Sequence, residues 1–171
     1  MKLFIPLLLF ITTTACCQPL VYKKYIVYVE LLGAGDPYSL NVEYLIRPNH
    51  SLRLGGCWFP EKWRLDGVQE RTYLNLPLTY QYLIGKNNHK LECSGGILNT
   101  YTIYSKFPNH LQITPQFALA YRFQKNTGGL FFRSGLHLFV PVYLSIDRYE
   151  TLFYSGNHWR LWPGIAAGWQ F

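Results

Sequence analysis

Charge is scarce in this sequence. Of 171 residues only 15% are Asp, Glu, Lys or Arg, against about 25% in ordinary soluble domains. Beyond residue 17 no apolar run approaches the roughly 20 residues that a helical membrane span needs, and the mean hydropathy is −0.01. A bundle of membrane helices is therefore excluded. The 4 cysteines show no CxxC or Cys/His spacing, so no metal site and no cofactor is expected. Disorder is excluded by what is abundant instead: 49% of residues are hydrophobic and 18% aromatic, enough apolar surface to drive folding.

The first segment reads as an export signal. Lys2 supplies a positive start, Leu3 to Ile11 an apolar stretch, and Thr12-Thr13-Thr14-Ala15 the small residues of a cleavage site. The expected organisation is a signal peptide over 1–17 and one barrel domain over 18–171. Cys16 follows a small residue, as at a lipoprotein processing site, but Thr13 stands where such sites carry Leu. Lipidation of Cys16 and ordinary cleavage near Ala15 both stay open. Cys57 and Cys93 lie far apart, and the pattern below points them to opposite faces.

From Tyr25 onward the chain alternates with period two, the signature of half-buried strands. Tyr25, Val27, Val29 and Leu31 oppose Tyr28 and Glu30; Tyr38, Leu40, Val42, Tyr44 and Ile46 oppose Ser39, Asn41, Glu43 and Arg47. Leu52, Leu54 and Trp58 then oppose Arg53, Gly55 and Cys57, and Leu74 to Ile84 alternates with Asn75, Pro77, Thr79 and Gln81. Runs centred on Leu91–Ile103, Leu111–Phe123, Leu130–Val142 and Leu161–Phe171 repeat the scheme, giving eight predicted strands.

One face of all eight carries no charge. The other carries Glu30, Glu43, Glu92, Arg53, Arg122, Arg133 and His137 among Gly, Ala, Ser, Thr and Gln. A water-facing wall would be rich in Lys and long polar chains, whereas small residues with few charges of both signs suit a crowded barrel interior. The apolar face is therefore expected to touch lipid. Connection lengths agree: links after the second, fourth and sixth runs are tight, and those at 61–71, 105–110 and 145–160 are longer, as in membrane barrels. Only the first link, Gly33-Ala34-Gly35-Asp36, is short out of turn. Closure is required, because an open sheet edge in lipid strands its backbone groups. The expected fold is all-β, an eight-stranded antiparallel up-and-down transmembrane barrel.

Val29-Glu30-Leu31-Leu32-Gly33, Tyr38-Ser39-Leu40-Asn41, Leu76-Pro77-Leu78-Thr79-Tyr80 and Trp162-Pro163-Gly164-Ile165 make the chain resemble the small eight-stranded outer-membrane β-barrel proteins of Gram-negative bacteria, in particular single-domain members that are largely uncharacterised. The resemblance implies insertion in the outer membrane as a multi-pass barrel, with outer-membrane lipid as its surroundings. It also implies that Trp169 and Phe171, ending the alternation Ile165, Ala167, Trp169, Phe171, form a C-terminal signal for the barrel-assembly machinery. Pro115 departs from the pattern, since proline removes a ladder hydrogen bond; a bulge or strand end is expected there.

The interior of so narrow a barrel is filled by its own side chains. The three carboxylates and three arginines are expected to pair across it, because an uncompensated buried charge costs about 3–5 kcal/mol, with Gln81, Gln116 and His137 taking up remaining hydrogen bonds. Catalysis is not expected: Ser134 points to lipid while His137 points inward, and His50 and His158 lie in connections without an acidic orienter. Trp63, Arg64, Phe107, Arg148, Tyr149, Phe153, Tyr154 and Trp159 form an aromatic and basic loop surface, either a binding site for an extracellular ligand or a belt anchor. Export dismisses nucleic acid as the reason for the net charge of +7. A soluble lipocalin-like carrier of an apolar ligand is the main alternative, and a small pore or a lipid-modifying enzyme are weaker ones.

Overall fold

The computed structural model describes residues 23–64, 68–104, 109–140, 144–145 and 160–171. The expected signal peptide and Cys16 lie outside the described residues. All described elements are strands: β1 (Tyr25–Leu32), β2 (Tyr38–Arg47), β3 (His50–Arg64), β4 (Val68–Ile84), β5 (His89–Tyr104), β6 (His110–Gln124), β7 (Gly129–Phe139), β8 (Leu144–Ser145) and β9 (Arg160–Gln170). The eight long strands pair with their neighbours in chain order, all antiparallel, and β9 closes on β1 through pairs such as Tyr28↔Gly168 and Glu30↔Ala166. The two-residue β8 continues the pairing beside β6, with Ile113↔Leu144. The result is a closed barrel in which each of the eight long strands has a hydrogen-bonded neighbour on both sides.

The alternation is observed along the eight long strands. Leu54 is 58% exposed on the outer wall while its neighbour Arg53 is fully buried inside. The same contrast holds for Leu119 and Ala120, and for Leu136 and His137. Leu, Val, Ile and Tyr clothe the outside, as a wall solvated by hydrocarbon requires. A lipocalin-like carrier needs this face turned inward, and it is turned out. Cys57 is buried inside and Cys93 sits on the outer face; both are free thiols.

One end of the barrel gathers the tight turns at 47–50, 85–88 and 125–128 together with the start of β1 and the end of β9, where the Phe171 amide donates to the Tyr25 carbonyl at 2.8 Å. The opposite end carries the β1–β2 turn and the β3–β4 hairpin. At that end the expected long link 61–71 is mostly strand: β3 and β4 stay paired through Glu61↔Arg71, Trp63↔Gln69 and Arg64↔Val68. Trp63 and Arg64 therefore sit on a protruding hairpin rather than in a loop. The hydrophobic alternation stops where the wall leaves lipid, but the hydrogen-bond ladder does not.

Pro115 has an effect on one side only. Toward β5 the register passes through Ile97↔Pro115 without a break. Toward β7 the ladder ends at Gln116↔Phe139, Val140 donates to the Pro115 carbonyl at 3.0 Å, and pairing resumes two residues out of step at Ile113↔Leu144. In an antiparallel ladder a residue's N–H and C=O point to the same neighbour, so the missing N–H is missed by β7 alone.

The lumen as candidate functional site

Six buried charges form one alternating chain through the barrel. Arg53 on β3 meets Glu30 on β1 at 3.4 Å, and Glu30 also pairs with Arg133 on β7. Arg133 Nε donates to Glu92 on β5 at 2.9 Å, Glu92 takes Arg122 Nη1 of β6 at 3.2 Å, and Arg122 Nη2 reaches Glu43 on β2 at 2.6 Å. The two ends, Arg53 and Glu43, are register partners on adjacent strands. Three positive and three negative groups thus alternate in sign around the lumen. Inward parity on each strand puts them there.

Neutral groups complete the layer. Arg53 Nε donates to Thr79 Oγ1 at 2.9 Å and its Nη1 to the Tyr28 hydroxyl at 3.3 Å. Arg122 Nε donates to Gln124 Oε1 at 2.7 Å, and its Nη1 shares Gln81 Oε1 with the Ser51 hydroxyl. The Arg122 guanidinium lies 4.8 Å over the Phe131 ring, which packs on Tyr28 with centroids 4.8 Å apart. A desolvated cation over an aromatic face is a favourable arrangement. His137 places Nε2 3.4 Å from Glu30 Oε1.

Toward the loop end the lumen is covered by the β1–β2 turn, whose shortness was out of pattern. Gly33, Ala34 and Gly35 are buried. The Ala34 amide donates to Glu30 Oε2 at 3.3 Å, and Asn75 Nδ2 donates to the Gly35 carbonyl at 3.1 Å. The turn is short because it folds into the barrel instead of leaving it. Three positive-φ residues make the reversal: Leu32 at φ 57°, Gly33 at φ 89° and Asp36 at φ 76°. A Cβ at Gly33 would lie 2.7 Å from the Glu30 carboxyl carbon. At the turn end Lys90 is buried, with Nζ 3.4 Å from the Pro48 carbonyl.

Sequence reading put Tyr28 and Gln124 on the inward face without a role in the network, and it missed Phe131, Lys90 and the inturned 33–35. The first four all occupy inward positions of their strands, and that parity was the available signal. Ser134 is exposed on the outer wall and His137 is buried inside, so the two do not meet. His50, expected in a connection, is the first residue of β3. Trp169 and Phe171 face outward and are exposed. Phe107, Arg148, Tyr149, Phe153, Tyr154 and Trp159 lie outside the described residues. Among the described residues no cluster of three or more His, Cys, Asp or Glu is arranged to hold a metal ion.

No protein-family model and no curated protein matches the chain. Solved structures do. The N-terminal β-barrel domain of Pseudomonas aeruginosa OprF is similar with a TM-score of 0.52 at 13% identity, covering 88% of this chain and 99% of that one. Acinetobacter baumannii CarO is similar with a TM-score of 0.50 at 10% identity, covering 89% and 99%. At such identities the likeness concerns the fold: this chain has the fold of an eight-stranded outer-membrane β-barrel.

Proposed function

We propose that the protein is a structural barrel of the Gram-negative outer membrane whose lumen is a packed ionic core, with neither a passage nor a catalytic centre. The observation that carries this reading is the set of groups gathered on Glu30. One carboxylate engages Arg53, Arg133, His137 and the backbone of the inturned turn at Ala34. Opening the lumen there would strand two guanidinium groups at once, each break costing about 3–5 kcal/mol. The tight-turn end faces the periplasm and the hairpin of β3 and β4 faces outward, as short and long connections do in such barrels. Trp169 and Phe171, exposed at the periplasmic end of the wall, are the side chains offered to the barrel-assembly machinery.

Planar bilayers carrying the purified protein test the reading. The expected record is flat, without discrete conductance steps. Regular, reproducible single-channel steps in the intact protein would refute the packed lumen.

A further inference from the structure

The periplasmic end of the barrel has a feature that a packed lumen does not use. Lys23, Lys24, Arg47, Lys86 and Lys125 are all exposed there. No Asp or Glu occurs in the described turns 47–50, 85–88 and 125–128, nor at 23–25. The carboxylates of β1, β2 and β5 are all committed to the lumen. Among the described side chains the rim is thus a ring of cations without a carboxylate beside it; the one described group of opposite sign is the α-carboxylate of Phe171 at the end of β9.

Just inside this rim, on the outer wall, the same device occurs twice. His50 opens β3 directly opposite Tyr82, meets it in a tilted contact with centroids 5.1 Å apart, and bonds the Tyr80 hydroxyl through Nδ1. His89 opens β5 directly opposite Phe123, contacts it at 5.4 Å, and bonds the Tyr121 hydroxyl through Nδ1 at 2.6 Å. Tyr25 and Tyr44 add a third aromatic contact at 5.2 Å along the same rim. Tyr and His are amphipathic, which places such pairs at the boundary between acyl chains and headgroups. In the tautomer whose Nδ1 accepts from the phenol, the ring hydrogen is on Nε2, a donor that a phosphate oxygen can meet. Each histidine lies within three residues of a cation in the preceding turn, Arg47 before His50 and Lys86 before His89.

We propose that this rim is a binding collar for anionic phospholipid headgroups of the periplasmic leaflet, with Arg47–His50 and Lys86–His89 as its two paired phosphate contacts. Cations at the surface supply attraction to the phosphodiester. The His–Tyr pairs set the depth at which it is met. The inference rests on the outer-membrane reading above, because it needs this end to stand in a leaflet.

The protein is reconstituted in phosphatidylcholine bilayers, and electron spin resonance compares spin-labelled phosphatidylglycerol with spin-labelled phosphatidylcholine in the motionally restricted shell around the barrel. The expected preference for phosphatidylglycerol is about five-fold, the contribution of a single engaged cation. It should fall toward unity in Arg47→Gln/Lys86→Gln and fall part of the way in His50→Phe/His89→Phe. Lys86→Gln alone, an exposed turn substitution, keeps the comparison available if the double variants do not fold, and it should lower the preference measurably. An equal preference in wild type and all folded variants would overturn the collar. Loss of the preference on adding inorganic phosphate, beyond that caused by chloride at the same ionic strength, would also overturn it, by showing a free-anion site. A restricted shell missing for both labels would instead overturn the membrane barrel itself.

Discussion

Arg122 and Arg133 stand directly opposite each other on β6 and β7, two like charges at a cross-strand pair inside the barrel. Such a pair is destabilising unless something lies between its charges. Here Glu92, reaching in from β5, takes Arg122 Nη1 at 3.2 Å and Arg133 Nε at 2.9 Å. Glu43 and Glu30 complete the arrangement on the far sides of the two arginines. The core of this barrel is held by sign alternation, in a place where a soluble protein would use leucine.

Glu92→Gln removes the charge between the two arginines and leaves the shape almost unchanged. The expected loss is about 3–5 kcal/mol of folding stability, measured as the shift in urea unfolding of the protein in phosphatidylcholine vesicles. Arg133→Met added to Glu92→Gln should recover a substantial part, because the charges left in the chain, two of each sign, balance again. Failure of the double variant to recover would mean that packing, and not charge balance, sets the cost.

Gly33→Val should release the turn that covers the lumen. Its Cβ would lie 2.7 Å from the Glu30 carboxyl carbon, and φ is 89°, a conformation costing a side chain about 1–2 kcal/mol. Cys57 is buried on the strand opposite Asn75, whose amide holds the turn through Gly35. A charged, water-soluble maleimide is expected to leave Cys57 unlabelled in the wild type and to label it in Gly33→Val. Intact-mass analysis reads the difference, since Cys93 on the outer face is shielded by lipid in both.

Strand positions and facing were legible because one rule governs most positions of the described strands: the wall is apolar outside and mainly polar inside. The membrane enforces it, so the period-two pattern carried the eight strands and the inward set Glu30, Glu43, Arg53, Glu92, Arg122 and Arg133. Partner choice was not legible. Which carboxylate meets which guanidinium depends on the stagger of strands far apart in sequence, as between Glu43 and Arg122. The inturned Gly33-Ala34-Gly35 reads like any turn, since its destination is decided by Asn75 and Glu30. The β3–β4 hairpin was underestimated because hydrophobic alternation reports lipid, and the ladder runs past it.

Pro115→Val tests the one-sided break at β7. Valine restores an N–H aimed at β7 and suits a lipid-facing strand position. Pairing is expected to extend beyond Phe139, with a gain of about 0.5–1.5 kcal/mol for each ladder bond formed. The β5 side, already in register through Ile97, should not change. Amide hydrogen exchange resolves the two sides: protection should rise after Phe139 and stay constant around Ile97. Equal changes on both sides would show that the proline acts through packing against lipid.

The direction in which the apolar wall faces can be tested by a single charge. Leu54 is 58% exposed and sits one residue from buried Arg53, near the middle of β3 as it crosses. In hydrocarbon, arginine at such a depth costs about 2–4 kcal/mol. At an exposed site in water the same substitution would fall within about 0.5 kcal/mol of neutral. Leu54→Arg should therefore lower stability by the larger amount in vesicles. Ile84, 47% exposed on the same wall at the end of β4 beside the tight turn, is the internal control: Ile84→Arg should change stability little in the same bilayer. Depth dependence is the discriminating result, since a soluble barrel has no midplane and would treat two exposed positions alike. A neutral Leu54→Arg would mean that water already touches this wall, and then neither the lipid-facing belt nor the charged lumen as its complement would survive.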